Sequence, residues 1–286
     1  MKPAGRFLTV QGSALHVVVD GSGPAVVLCG GLAGNWFDWD AVTRALAVDH
    51  TVVRFDRPGC GLSAPTGRPP TVHGESDRIA GVLDAVGVDE SAVVVVGHSM
   101  GGWYAEAFAR RHRRRAAGLV LLDASIARPQ RPLLAPTPRY RLAAAAAAVT
   151  SASGLQRLLG PSVRRLAYGG GPAAGTESLV RRVFTDPAYL RAALVENAAY
   201  ADLPAELASI RGLGPLPPTL VVAADPGRPW SARWVRSQRR LADDLGATFT
   251  ALRPARHTAM VDRPAAVAAL VAAMPGAAYR GRGRQP

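Results

Sequence analysis

Gly97-His98-Ser99-Met100-Gly101 stands directly after the apolar run Ala92 to Val96. The pattern G-x-S-x-G at that place reads as a buried strand that breaks sharply and enters a helix, predicted from Trp103 onward. A serine lifted above a sheet edge needs such a turn, and the turn strains the backbone at the serine itself. Side chains two residues before and two after would collide with neighbouring backbone, so both places call for glycine. The chemistry implied is attack by the Ser99 hydroxyl on a carbonyl carbon. The helix that follows aims its free N–H groups and positive end at the serine's surroundings.

A hydroxyl is a weak nucleophile at neutral pH. It requires a base, an acid to orient that base, and donors for the oxyanion. For a serine on a strand-to-helix turn the chain order is serine, then Asp or Glu, then histidine. His16, His50, His73, His98 and His112 precede or closely follow Ser99, whereas His257 lies far downstream. His257 follows Thr248 to Leu252, read as a last strand, and precedes an Ala/Val-rich helical segment ending at Ala273. It is the expected base. His98 adjoins the serine, but neighbours at a sharp turn point apart, so His98 reads as a packing residue. One oxyanion donor is expected from the N–H of Met100. The second is expected from Gly31, in the loop Cys29-Gly30-Gly31-Leu32-Ala33-Gly34 that follows the apolar run Pro24 to Leu28.

Together these residues resemble the α/β-hydrolase family, from about Phe7 to Val271. The family's usual His-Gly at the oxyanion loop is Cys29-Gly30 here. Its loop after the fourth strand, typically Asp-x-Arg-Gly-x-Gly-x-Ser, is here the variant Asp56-Arg57-Pro58-Gly59-Cys60-Gly61-Leu62-Ser63 after the strand Thr51 to Phe55. The resemblance implies an α/β fold: a mostly parallel eight-stranded sheet, helices on both faces, and a helical cap insertion. It also implies two places for the acid. Asp123 ends the sixth-strand run from Gly118 and is the first choice. Asp225, slightly early in the loop after the seventh strand, is the alternative.

The implied activity is that of an esterase-like serine hydrolase acting through an acyl-enzyme. Its substrate would be a small, apolar carboxylester, thioester or lactone. No metal or organic cofactor is expected. Family members that open epoxides or remove halogens use an aspartate at the elbow, so Ser99 disfavours both reactions. Carbon–carbon bond hydrolysis, perhydrolysis and acyl transfer stay compatible with the same triad. A non-catalytic ligand-binding protein on this fold is the alternative of another class.

The elements that must position these groups are legible as short β-branched runs alternating with helical stretches. The expected division is a core over 1–124, a helical cap over 125–214, the rest of the core over 215–278 and a disordered tail over 279–286. Within the cap, helical runs are read at Tyr140 to Val149, Glu177 to Phe184 and Pro187 to Leu207, with Gly169-Gly170-Gly171 between them. The cap would exclude water and shape the pocket. Trp36, Trp39 and Trp103 are candidates to line its apolar wall.

The formal charge is +13, which invites a nucleic-acid partner. However, Lys2 is the one lysine, and the arginines lie scattered among Ala, Pro and Gly. That pattern reads as compositional bias, and Arg110 to Arg115 closes a helix where cations favour its dipole. The expected partner is a small molecule, not nucleic acid. Met1 to Val10 lacks the apolar core of a secretory signal, and Ala143 to Val149 is too short to span a membrane. A cytoplasmic location is the default expectation. Cys29 and Cys60 are expected to be free thiols, although the resemblance places their loops at one sheet edge, where a bridge is conceivable. No motif specifies an acyl group, a leaving group or an oligomeric state.

Overall fold

The computed structural model describes residues 3–88, 92–168 and 176–275. Its sheet contains β1 (Arg6–Val10), β2 (Ser13–Asp20), β3 (Ala25–Cys29), β4 (Thr51–Phe55), β5 (Val93–His98), β6 (Ala116–Leu122), β7 (Thr219–Ala224) and β8 (Thr248–Leu252). They lie in the order β1-β2-β4-β3-β5-β6-β7-β8. β2 runs antiparallel to β1 and β4, and the remaining pairings are parallel. The expected eight-stranded, mostly parallel sheet is therefore present.

Continuous apolar strands are what a sheet covered on both faces demands. In β5, Val93 and Val95 enter one core while Val94 and Val96 enter the other. Ala25, Val27 and Cys29 of β3 alternate with Val26 and Leu28 in the same way. Each such valine, fully buried, stabilises the fold by about 1.5–3 kcal/mol relative to leaving it exposed. The first face is covered by α2 (Val72–Ala85), α3 (Gly101–Arg111), α8 (Leu203–Arg211) and α9 (Ser231–Leu245). The opposite face is covered by α1 (Asp40–Leu46), α10 (Ala259–Asp262) and α11 (Pro264–Ala272). α3 begins at Gly101, a half-turn before the expected Trp103, because the chain enters helix directly from the serine turn.

The 125–214 span holds α4 (Pro136–Ala152), α5 (Leu155–Tyr168), α6 (Glu177–Phe184), α7 (Pro187–Ala199) and α8. The run read as one helix from Pro187 to Leu207 is two, broken at Tyr200 to Asp202, with Pro204 opening α8. Leu203, Leu207 and Ile210 of α8 belong to the main core. α5 has no counterpart in the sequence reading. Gly169 to Gly171 and the 279–286 tail lie outside the described residues. Among the described residues, no helix is long and apolar enough to cross a membrane.

Candidate active site

Every predicted site residue lies just past the carboxyl end of a strand, where open α/β sheets bind ligands. Ser99 follows β5 with φ 52°. That left-handed conformation is strained for serine, and the two flanking glycines permit it. A Cβ on Gly97 would lie 2.5 Å from the Gly101 carbonyl oxygen, and one on Gly101 would lie 2.4 Å from that of Gly30. The elbow is thus wedged between its own helix and the loop after β3.

His257 comes from the loop after β8. Its Nδ1 lies 2.6 Å from Oδ2 of Asp123, and its side chain is about half exposed. Asp123 follows β6, is 2% exposed and has φ 44°. Its other oxygen, Oδ1, accepts from the Ala224 N–H at 2.9 Å and from Trp234 Nε1 at 2.6 Å. Both oxygens are therefore committed, and the carboxylate can turn only by giving up hydrogen bonds.

Asp225 is placed elsewhere. It accepts from the Gly227 N–H at 2.8 Å and the Ser231 hydroxyl at 2.6 Å, closing the Asp-Pro-Gly turn. These bonds hold its carboxyl below the usual range. The alternative acid thus supports a turn, and the carboxylate on His257 is that of Asp123.

His98 does more than pack. Burial pushes its pKa down to about 3, so the ring is neutral. Its Nε2 donates to the His257 carbonyl oxygen at 2.8 Å, tying the β8 loop to the elbow. Trp39 meets its ring edge-on.

A cavity of about 220 Å³ opens beside Ser99 and His257. Its walls come from the segments 30–39, 98–99 and 257–260, including Gly31, Asp38, Trp39 and Met260. Among the described residues, none of 125–214 lines this cavity. Of the three tryptophans, Trp39 lines it. Trp36 lies against Arg54, and Trp103 donates to the Ser125 carbonyl.

The loop after β3 is held from behind. Arg57 donates to the carbonyl oxygens of Gly30 at 2.7 Å and Gly31 at 2.6 Å. The same guanidinium pairs with Glu196 of α7, at 2.7 and 3.0 Å. Burial opposes the charge on Arg57, and the Glu196 carboxylate overcomes it, raising the pKa. Glu196 Oε2 also accepts the Ala33 N–H at 2.8 Å, and Tyr189 of α7 donates to the Ala33 carbonyl at 2.8 Å. Ala33 sits at φ 53°, a strained conformation held at both its polar groups by one helix. With the carbonyls of residues 30 and 31 drawn toward Arg57, Gly31 lies against Ser99, where a Cβ would stand 2.9 Å from that of the serine. Sequence reasoning missed this clamp. Arg57 and Glu196 are 139 positions apart, and the loop motif around Arg57 does not name its partner.

Cys29 and Cys60 are both buried and free, as expected. Burial pushes the Cys29 thiol up to about 12. Burial, then the Glu196 carboxylate, raises that of Cys60. Neither is a nucleophile at neutral pH. Among the described residues, no group of three or more His, Cys, Asp or Glu side chains is arranged to hold a metal ion.

Comparison with known proteins agrees with this architecture. Over 127 residues the chain is 33% identical to epoxide hydrolase B of Mycobacterium tuberculosis, a match covering 42% of this chain and 35% of that protein. Over 121 residues it is 32% identical to cis-3-alkyl-4-alkyloxetan-2-one decarboxylase of Shewanella oneidensis, covering 41% and 38%. The matched stretch thus spans little more than a third of these relatives. The crystal structure of the enol-lactonase from Burkholderia xenovorans superposes with a TM-score of 0.65 at 25% identity, over 93% of this chain and 97% of that one. The sequence profile of the alpha/beta hydrolase family matches residues 26–270, most of the chain. With the sheet order, the serine turn and the loop positions in agreement, the protein belongs to the α/β hydrolase family.

Proposed function

We propose that this protein is a serine hydrolase that cleaves a small carboxylester, thioester or lactone. The observation that carries this reading is the His257–Asp123 hydrogen bond of 2.6 Å at the mouth of a cavity shared with Ser99. Asp123 fixes Nδ1 as the protonated nitrogen, which leaves Nε2 free to take the Ser99 proton. Ser99 attacks the carbonyl carbon, and the N–H groups of Met100 and Gly31 stabilise the tetrahedral oxyanion. Protonation of the leaving group by His257 gives an acyl-enzyme. Water, deprotonated by the same imidazole, then releases the acid and restores Ser99.

The cavity of about 220 Å³ favours a short acyl group. Within the ester class, lactones have separate support. Two of the similar proteins are named for lactone rings: an enol-lactonase, and a decarboxylase of oxetan-2-ones, which are four-membered lactones. Epoxide opening, the activity named for another relative, needs a carboxylate where this chain has a hydroxyl.

A small fluorophosphonate tests the reading without a guess at substrate. Intact-mass analysis is expected to find one adduct on the wild-type protein and none on folded Ser99→Ala. An unlabelled wild type would sink the proposal and favour a ligand-binding role. After labelling, a panel of short esters and small lactones is expected to give turnover that Ser99→Ala lacks.

A further inference from the structure

Helix α5 is built inside out. Its buried seam is Gln156, Gly160 and Arg164, spaced four residues apart. Gln156 donates to the Asp186 carbonyl at 2.6 Å, a Cβ on Gly160 would clash with Phe184, and Arg164 lies 3.7 Å from Asp38. The apolar residues face outward instead. Leu158 is 76% exposed and Leu166 87%, with Leu155, Leu159 and Val163 also exposed. At the helical repeat, Leu158, Leu155, Leu166 and Leu159 fall within an arc of about 100°. Arg165, exposed, follows directly on one flank of that arc, whereas Arg157 falls beside the buried seam near Arg164. A soluble surface helix shows the reverse arrangement, and an exposed row of large apolar side chains marks a contact surface.

Charge selects the occupant. The segment 124–176 contains seven arginines and no aspartate or glutamate. Two of the seven meet carboxylates from elsewhere in the fold, Arg139 with Asp202 and Arg164 with Asp38, and Arg165 on α5 is exposed. Pairing with a second copy would bring two acid-free, arginine-bearing faces together, which like-charge repulsion opposes. The apolar residues form a ridge, not a groove. A ridge of leucines with Arg165 on its flank matches a helix lying in the plane of an anionic bilayer surface. One of the scattered arginines that read as compositional bias thus acquires a local role here.

We propose that the outer face of α5 docks the protein on an anionic lipid surface. The leucines enter the headgroup boundary, and Arg165 meets lipid phosphates. The inner seam of the same helix reaches the cavity wall, since Arg164 lies beside Asp38. Docking therefore sets the proposed active site close to the bilayer. This inference stands whether or not Ser99 is the nucleophile.

Flotation of the full-length protein with phosphatidylcholine vesicles, with and without phosphatidylglycerol, is the test. Binding is expected on the anionic vesicles, weaker by about tenfold on the neutral ones, and falling with added salt. Leu158→Gln with Leu166→Gln is expected to lower binding more than tenfold, with the thermal melt unchanged. Arg165→Gln is expected to reduce the preference for phosphatidylglycerol severalfold while leaving weak binding. Absence of vesicle binding, or equal binding by the leucine variant, would overturn the proposal. So would a wild-type dimer that ignores vesicles and that the leucine variant converts to monomer, which assigns the face to a second copy.

Discussion

Asp123 accepts three hydrogen bonds, from His257, Trp234 and Ala224, and each comes from a different part of the chain. Asp123→Asn keeps the volume but presents an amide to Nδ1 and disturbs the tautomer. Turnover is expected to fall by about 10⁴. Asp225→Asn alters only its own turn and is expected to change turnover by less than about threefold, within the range of surface substitutions. Steady-state kinetics on the pair checks the assignment. Gly31→Ala would push the loop off Ser99, because the added methyl meets the serine Cβ. A kcat loss of about 10²–10³, the value of one oxyanion donor, is expected with little change in melting temperature. His98 predicts a pH effect on stability. Its folded pKa of about 3 lies below the unfolded value near 6.5, so the unfolded chain binds more protons between the two. Stability is full above pH 6.5 and declines by up to a few kcal/mol as pH falls toward 3. Chemical denaturation of wild type and His98→Asn across that window is expected to give a shallower slope for the variant. The turn at Ser99 and the loop position of His257 were legible because the chemistry proposed for them imposes local spacing and chain order. The choice between two aspartates was not, since both end a strand and only the packed loops decide which one His257 meets.

At the scale of elements, α7 braces the loop after β3 through Glu196 and Tyr189. Glu196→Ala would strand the Arg57 charge in a buried site. A loss of about 3–5 kcal/mol is expected by denaturant titration. Since Arg57 also holds the Gly30 and Gly31 carbonyls, kcat should fall in samples kept below the lowered melting point. KM should move less, since the proposed role of the loop is to bind the oxyanion more than the ground state. Strands were the most legible elements: β4 and β8 have the bounds that their short runs predict. β4 was legible from its buried apolar run, whereas β8, an edge strand with no buried residue, was legible from its β-branched and aromatic residues. Apolar periodicity failed for α5, whose inward face is polar and small. Pattern reading assumes that leucines point inward, and here they do not. It also merged α7 and α8, since the break at Tyr200 to Asp202 contains neither glycine nor proline.

At the scale of the molecule, the described cavity walls come from the core segments 30–39, 98–99 and 257–260, while α7, in the 125–214 span, braces the loop after β3. The family's overall plan was readable from a few motifs, because each motif occupies the end of a different strand. The role of the insertion was not readable, since it depends on pairs such as Arg57–Glu196 that join distant segments. Excising residues 130–199 in favour of a short linker is expected to leave a chain that keeps the circular dichroism signature of the sheet. Its fluorophosphonate labelling should be slower by at least about tenfold, as the loop carrying Gly31 loses its brace. The strained Ala33, clasped at both its amide and its carbonyl by α7, has one more consequence. The insertion is not a removable hood over a finished enzyme. It behaves as a keystone, so a cap grafted from another family member would have to bring its own acid opposite Arg57. Lineages that exchange caps freely would have to re-evolve that partner at the same time.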